Sequence, residues 1–326
     1  MLKVERYTKE HLEDWNKVLS EAKNGTFLHA RSFMEYHKDR FEDASLIVYD
    51  KNKPVAIFPA NKVDEKTIAS HSGLTYGGFV VPLNTYSKAV LQYISRMLEY
   101  CFENKIERVL FKQMPSFYCS KSQDEIDYGL FLTQAKLYRV DIASVIKQGA
   151  SQKAKIQERR LRSVKKARKL GVSVVETTDF GVFWNEILIP NLSERFGVNP
   201  VHSLDEIQQL YKDNNPHIRQ FVALLDGQIM AGTTIFETQT TAHAQYISAS
   251  NEGRANGSLD LLFFEIINET FKHKDYFDFG IVNEQNGCKV NEGLLDWKEG
   301  FGARAYAHRF YEINTANFKM IEQAFL

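Results

Sequence analysis

A lysine set just ahead of a Gly-Phe-Gly turn, Lys298 in "DWKEGFGA", is the first group in this sequence whose setting suggests chemistry. Acyl transfer passes through a tetrahedral oxyanion, and a fixed cation or N–H donor aimed at that oxygen supplies about 3–4 kcal/mol. A helix-borne lysine beside such a turn is a candidate for that role. The plain alternative is a solvated surface lysine.

A second set lies early in the chain, in "SHSGLTYGGF", Ser70 to Phe79, behind a run that reads as buried strand. His71, Ser72, Thr75 and Tyr76 could line a pocket, and Gly77-Gly78 would let the backbone turn or approach a ligand closely. The competing reading is a turn whose polar groups satisfy one another. The later stretch "QYISASNEGRANGS" holds the same place in the second half. Tyr246 and Ser248 lie on one side of an alternating strand, and Ser250 and Asn251 follow at its end. Arg254, Gly257 and Ser258 stand where a helix begins, a position suited to a pyrophosphate. Asn283, just after "FDFGIV", sits at a comparable strand end and could hold an amide. For proton transfer the candidates are His71, His243 and Glu252. His243 belongs to the alternating run "TAHAQYIS", where an outward-facing polar residue is the ordinary explanation.

These groups need elements to carry them. "ASLIVYDKNKPVAIFPANKV" and "RQFVALLDGQIMAGTTIFET" each read as a hairpin. Each leads to a further β-rich run, a polar glycine-bearing loop, an amphipathic helix and another strand. The helices are "TYSKAVLQYISRMLEYCFENK" and "SLDLLFFEIINETFKHK", and the strands "ERVLFKQ" and "YFDFGIVN". The same unit thus occurs twice, offset by roughly 170 residues, as a domain duplication and not a solenoid. Between the halves, Lys153 to Lys169 holds nine Lys or Arg and one acid, Glu158, with no proline, and reads as a helix. It could be a solvated connector or an arm for phosphate or nucleic acid. The expected division is 1–150, a basic helix over 151–171, and 172–326, in an α/β (α+β) fold of mixed sheets flanked by helices.

The whole-chain numbers restrict the class without naming a partner. Lys plus Arg and Asp plus Glu are both 41 among 326 residues, so net charge points to neither nucleic acid nor membrane. The charged N-terminus lacks the apolar core of a signal peptide, and no apolar run approaches the ~18 residues of a spanning helix. Cys101, Cys119 and Cys288 form no CxxC pair, which fits a reduced, cytoplasmic location. There is no GxSxG elbow, P-loop or dinucleotide fingerprint, and the nine histidines show no metal-ligand spacing. No prosthetic group is implied.

Hairpin, central strand, polar loop, helix and strand is the layout of GNAT-type acyltransferases, so the chain resembles two such domains in tandem. "YFDFGIVNEQNGCKVNEGLLDWKEGFGA" is similar to a stretch of the Fem-type peptidyltransferases. In that family an aspartate in a strand and a glycine turn precede Gly-Leu-x-x-aromatic-Lys-x-Gly-Phe-Gly. The matching residues are Asp278, Gly280, Gly293, Leu294, Trp297, Lys298, Gly300, Phe301 and Gly302. "RRLRSVKKARKLGVSV" and "YISASNE" resemble the family's basic helix and the strand and loop before its last long helix. The first half matches more loosely, through "FLHARSFMEYH" and "SHSGLTYGGF". The resemblance implies transfer of an acyl or aminoacyl group to an amine of a peptidoglycan or polysaccharide precursor, with Lys298 at the reacting carbonyl or the acceptor. It leaves the donor open between aminoacyl-tRNA, met through the 153–169 helix, and acyl-CoA, cradled by Arg254, Gly257 and Ser258 although Leu259 stands where a small residue is wanted. The alternative within the enzyme class is an acetyl-CoA-dependent N-acetyltransferase of a small amine or amino sugar. A non-catalytic protein that binds RNA or an anionic glycan is the reading outside the enzyme class.

Overall fold

Two tight turns mark the same place in the two halves of the chain. Lys51 and Asn52, then Asp226 and Gly227, have φ of 47°, 66°, 51° and 78°. Two successive positive φ values make the two-residue turn whose twist matches paired strands, and Asn, Asp and Gly tolerate it best. The computed structural model describes residues 2–149 and 155–325. Contacts divide the chain into two units, Met1–Asp141 with Ala307–Leu326, and Ile142–Tyr306.

In the first unit β1 (Leu2–Arg6), β2 (Leu46–Asp50) and β3 (Lys53–Phe58) form an antiparallel sheet. β4 (Asn61–Asp64) pairs antiparallel with β5 (Thr67–Ala69), which runs parallel to β6 (Arg108–Lys112). Parallel neighbours need a crossover, here the helix Ser87–Glu103. Val90, Ile94, Met97, Leu98 and Cys101 recur on one side of it and share a core with Val48, Phe58 and Phe111. β7 (Lys136–Lys147) then carries the chain out of this unit.

In the second unit β8 (Ser173–Thr177), β9 (Ile218–Leu225), β10 (Gln228–Glu237) and β11 (Thr241–Ala249) pair antiparallel in sequence. β12 (Tyr276–Ile281) lies between β11, to which it is parallel, and β7, to which it is antiparallel. A short ribbon of β13 (Asn283–Glu284) and β14 (Lys289–Val290) follows. The crossover from β11 to β12 is the helix Ser258–Glu265, extended by a π turn over Ile266–Thr270. Leu261, Leu262 and Phe263 are at most 1% exposed there, each worth roughly 1.5–3 kcal/mol of burial. They share a core with Phe277, Phe279 and Phe301.

Each unit is a mixed α/β arrangement, as the sequence predicts. The division differs from the expected one. The second unit begins at Ile142 and so includes the basic helix, and residues 307–326 belong to the first unit. The reason lies in β15 (Arg304–Asn314), whose last residues, Phe310 to Asn314, pair with β6. A boundary drawn from repeats and charge runs cannot see a strand that returns.

The basic helix runs over Glu158–Lys169; residues 151–154 of the expected 151–171 span lie outside the described part. Val164 and Ala167 are buried in the core of the second unit. Arg160 reaches both carboxylate oxygens of Asp260 at 3.0 and 2.9 Å, Arg159 pairs with Asp296, and Arg168 meets Glu265 at 3.3 Å. Arg162, Lys165 and Lys169 are exposed. The polar loop expected before the second long helix is instead the short helix Asn251–Asn256, because Ser250 caps it through the Gly253 N–H at 2.9 Å. No helix among the described residues is long and apolar enough to cross a membrane.

Candidate active site

The parallel pairing of β11 with β12 lasts three residues, Thr241↔Tyr276, Ala242↔Phe277 and His243↔Asp278, and there it stops. Beyond this point β11 keeps its antiparallel partner β10, with an irregularity between Thr234 and Ile235. β12 kinks instead: its register with β7 shifts between Asp278 and Ile281, and Gly280 takes φ of +76°. Only glycine enters that region freely. A side chain at 280 would also stand 3.3 Å from His243 Cε1. The ladder between the two strands opens here: beyond His243 and Asp278 they no longer pair with each other, while β11 stays on β10 and Ile281 still pairs with Ala143 of β7.

The last pair before the opening is ionisable and buried. Asp278 has no exposed surface and His243 is 8% exposed. Asp278 Oδ2 lies 2.8 Å from His243 Nδ1, and its Oδ1 accepts the Gly280 N–H at 2.7 Å. A buried carboxylate is tolerated only when it is paired and hydrogen-bonded, and both oxygens here are.

Lys298 approaches the bend from the helix Glu292–Glu299. Asn291 starts that helix by accepting the Leu294 N–H at 3.0 Å. Trp297 locks its rotation: the indole packs edge-on against Phe263, with ring centroids 5.1 Å apart, and donates to Asp260 at 2.8 Å. The next side chain, Lys298, therefore points inward and is 2% exposed. Its Nζ donates to the carbonyls of Gly280 and Ile281, both at 2.9 Å. An ammonium has three N–H bonds, and among the described residues these two carbonyls are its hydrogen-bond partners. Burial lowers its pKa to about 8, against the opposing pull of Asp278. At neutral pH it is a largely protonated, fixed cation beside the strand opening, not a solvated surface lysine.

The remaining motif residues serve this placement. Phe301 packs between Phe279 and Trp297, at 5.8 and 5.3 Å. At Gly300 a Cβ would meet Arg160 at 3.1 Å. Asn283, just past β12, accepts the Ile142 N–H at 2.5 Å and donates to the Gly287 carbonyl at 3.2 Å, which ties the end of the bend to β7.

The other second-unit residues lie farther along β11 and its following helix, mostly bonded to protein. Tyr246 Oη is 2.5 Å from His202 Nδ1 and accepts the His202 N–H at 3.1 Å. Ser248 Oγ accepts from Asn191 at 2.9 Å. Asn251 accepts from Arg254 at 2.6 Å, and Arg254 also donates to the Ala249 carbonyl. Ser258 is fully buried and hydrogen-bonded to Asn256. Gly257, at φ of +91°, lets the Ser163 carbonyl of the basic helix come within 2.4 Å of where a Cβ would be.

The first unit places its glycine loop differently. β5 and β6 do not open: Ser70 N–H donates to Leu110, Ser70 Oγ accepts from Lys112 N–H at 2.7 Å, and Gly77 N–H donates to the Lys112 carbonyl at 3.0 Å. A Cβ on Gly77 would lie 1.9 Å from the Ser70 oxygen, and one on Gly78 would strike Phe111 at 2.8 Å. Ser72 N–H donates to Asn61, and Lys112 Nζ reaches the carbonyls of Ser72 and Leu74. Tyr76 is 1% exposed and bonded to Thr26, and His71 is buried at φ of +63°. The loop closes the place where the second unit opens.

Sequence reasoning missed the His243–Asp278 pair. Both residues were visible, His243 as an outward strand residue and Asp278 as part of a motif, but their adjacency depends on strand register. It also missed Asp260, which joins Arg160 to Trp297.

No protein-family model matches the sequence, and no curated protein does so significantly. Solved structures match it by shape. FemX superposes with a TM-score of 0.64 at 13% identity, over 98% of this chain and 100% of that one. The C-terminal domain of a putative lysylphosphatidylglycerol synthetase from Agrobacterium fabrum gives 0.56 at 13%, over 96% and 94%. A tandem GNAT protein from the clavulanic acid biosynthesis pathway gives 0.51 at 11%, over 97% and 99%. At such identities the likeness is one of fold, the double-GNAT arrangement that the sequence predicts.

Proposed function

We propose that the protein is an acyltransferase of the GNAT/Fem kind, with its reacting centre at the opening between β11 and β12. The observation that carries this reading is Lys298, a buried ammonium held on the carbonyls of Gly280 and Ile281 where the parallel pairing ends. A cation fixed in a water-poor site needs no reorganisation when an oxyanion forms, and such a donor is worth about a hundred- to a thousandfold in rate. Among its described residues the first unit offers no equivalent opening, since Ser70 and Gly77 fill it.

The acceptor in this reading is an amine of a cell-envelope precursor, in keeping with FemX and the synthetase domain among the similar folds. An aminoacyl-tRNA donor is supported by the exposed Arg162, Lys165 and Lys169, which leave a cationic stripe on the basic helix. Acyl-CoA has less support. Of the groups that would cradle its pyrophosphate, the Gly253 and Ser258 N–H donors are taken by Ser250 and Asn256, and Gly257 is used in helix packing.

The test is a transfer assay with radiolabelled alanyl-tRNA or acetyl-CoA as donor and glucosamine or a muramyl pentapeptide as acceptor. Transfer that disappears in Lys298→Met, with melting showing an intact fold, supports the reading. Wild-type rates in that variant overturn the role of Lys298, and no transfer from any pair overturns the acyltransferase reading.

A further inference from the structure

We infer that His243, oriented by Asp278, is the general base of the transfer, accepting the proton that the acceptor amine sheds; this rests on the acyltransferase reading above. Three observations point to it. The pair occupies the last rung of the β11–β12 ladder, at the point where the strands part. On the face that carries the pair, the preceding cross-strand neighbours, Thr241 and Tyr276, are uncharged. Strand pairing alone asks for no ionisable group, and taking such a pair out of water costs several kcal/mol before its interactions repay it. Finally, the carboxylate holds Nδ1 in its protonated tautomer at 2.8 Å, which puts the lone pair on Nε2.

The other proton acceptors fit less well. Lys298 lies beside the pair but is a cation at neutral pH, with its N–H bonds on two carbonyls. Glu252 is exposed on the short helix after β11. His71 belongs to the closed loop of the first unit. Gly280 keeps the Cε1 edge of His243 clear, since a Cβ there would approach to 3.3 Å. Asp278 on β12 is the charged group bonded to His243, and Lys298 on the helix Glu292–Glu299 acts on that same carboxylate.

In the step, the nitrogen lone pair of a neutral amine attacks the carbonyl carbon of the donor's ester or thioester. The C–N bond forms as the π pair moves onto oxygen, and the nitrogen's proton passes to His243 Nε2. When the oxyanion collapses, the bond to the donor oxygen or sulfur breaks. That leaving group takes the proton from His243, which restores the imidazole.

The variants His243→Asn and Asp278→Asn test this with the donor and acceptor pair that supports transfer. Asparagine at 243 can still donate to Asp278 from an amide nitrogen near the Nδ1 position, but it has nothing in place of Nε2. We expect kcat to fall about a hundredfold or more, in the range of lost general-base catalysis, with donor KM little changed. The acidic limb of the kcat/KM–pH profile should vanish with it. Asp278→Asn should lower kcat while keeping that limb, displaced. A folded His243→Asn enzyme with wild-type kcat and an intact acidic limb overturns the inference and leaves the acyltransferase reading standing. If His243→Asn does not fold, the wild-type profile together with Asp278→Asn decides: an acidic limb unmoved by the Asp278 change overturns it. Absence of transfer from every probe pair removes both.

Discussion

Lys298 and Gly280 are joined by a 2.9 Å hydrogen bond from the lysine Nζ to the glycine carbonyl. The acceptor is the residue whose positive φ makes β12 bend away from β11. The same contact thus fixes the cation and caps a carbonyl at the bend. Lys298→Met keeps the length of the side chain and removes the charge, so transfer should fall about a hundred- to a thousandfold. A Lys298→Arg enzyme should recover little, because a planar guanidinium cannot replace a compact ammonium at two converging carbonyls. Single-turnover rates of both variants against wild type check this.

In the proposed role, Lys298 should also set an alkaline limit on activity. Burial lowers its pKa to about 8, so transfer that needs the ammonium should decline as pH rises through about 8. Stability should move the other way. Between about 8 and the ordinary lysine value of 10.5 the unfolded chain holds a proton that the folded one has lost, so this group's contribution rises with pH across that window. Urea melts at both ends of the window should show the rise in wild type and a smaller one in Lys298→Met.

Gly280→Ala should damage the site more than the fold. The positive φ costs about 1–2 kcal/mol for a residue with a Cβ, a modest loss in melting. The new methyl would sit 3.3 Å from His243 Cε1, so the imidazole must move. A rate loss exceeding the stability loss, read at a temperature where the variant is fully folded, is the expected result.

Gly257→Ala separates packing from donor binding. Its Cβ would fall 2.4 Å from the Ser163 carbonyl at a φ of +91°, and overpacking of this kind costs about 1–3 kcal/mol beyond the backbone strain. Thermal melting should show a large loss. Arg254→Ala, whose side chain folds back on Ala249 and Asn251, should melt close to wild type and bind acetyl-CoA no differently by calorimetry.

Reversing charge at Arg162, Lys165 and Lys169 tests the basic helix as an RNA-binding face. All three are exposed, so the fold should hold, whereas Arg160→Glu would break the buried pair with Asp260. tRNA affinity of the triple variant should fall, and its log–log salt slope should shallow in proportion to the number of phosphates it no longer neutralises. An unchanged slope would assign the stripe to solvation alone.

Much of the architecture was legible in the residues themselves. Hairpin turns announce themselves through Asn52, Asp226 and Gly227, because positive φ selects among few side chains. The two long helices show as apolar residues at helical spacing, because one face must be buried. Trp297, Phe301 and the flanking glycines mark Lys298 as unusual, since a surface lysine needs no aromatic lock. What sequence could not supply was register and return. His243 and Asp278 stand 35 positions apart, and only the parallel pairing of β11 with β12 makes them neighbours. The serine and glycines of "SHSGLTYGGF" have the composition of a ligand loop, yet Ser70 and Gly77 close β5 onto β6. On the basic helix Arg159, Arg160 and Arg168, which the sequence offers to a polyanion, are spent on Asp296, Asp260 and Glu265. Local propensity acts through a residue's own backbone and near neighbours, so turns, caps and periodicity can be read along the chain. Ion pairs, strand openings and filled gaps depend on which distant segments meet, and only the packed tertiary structure decides that.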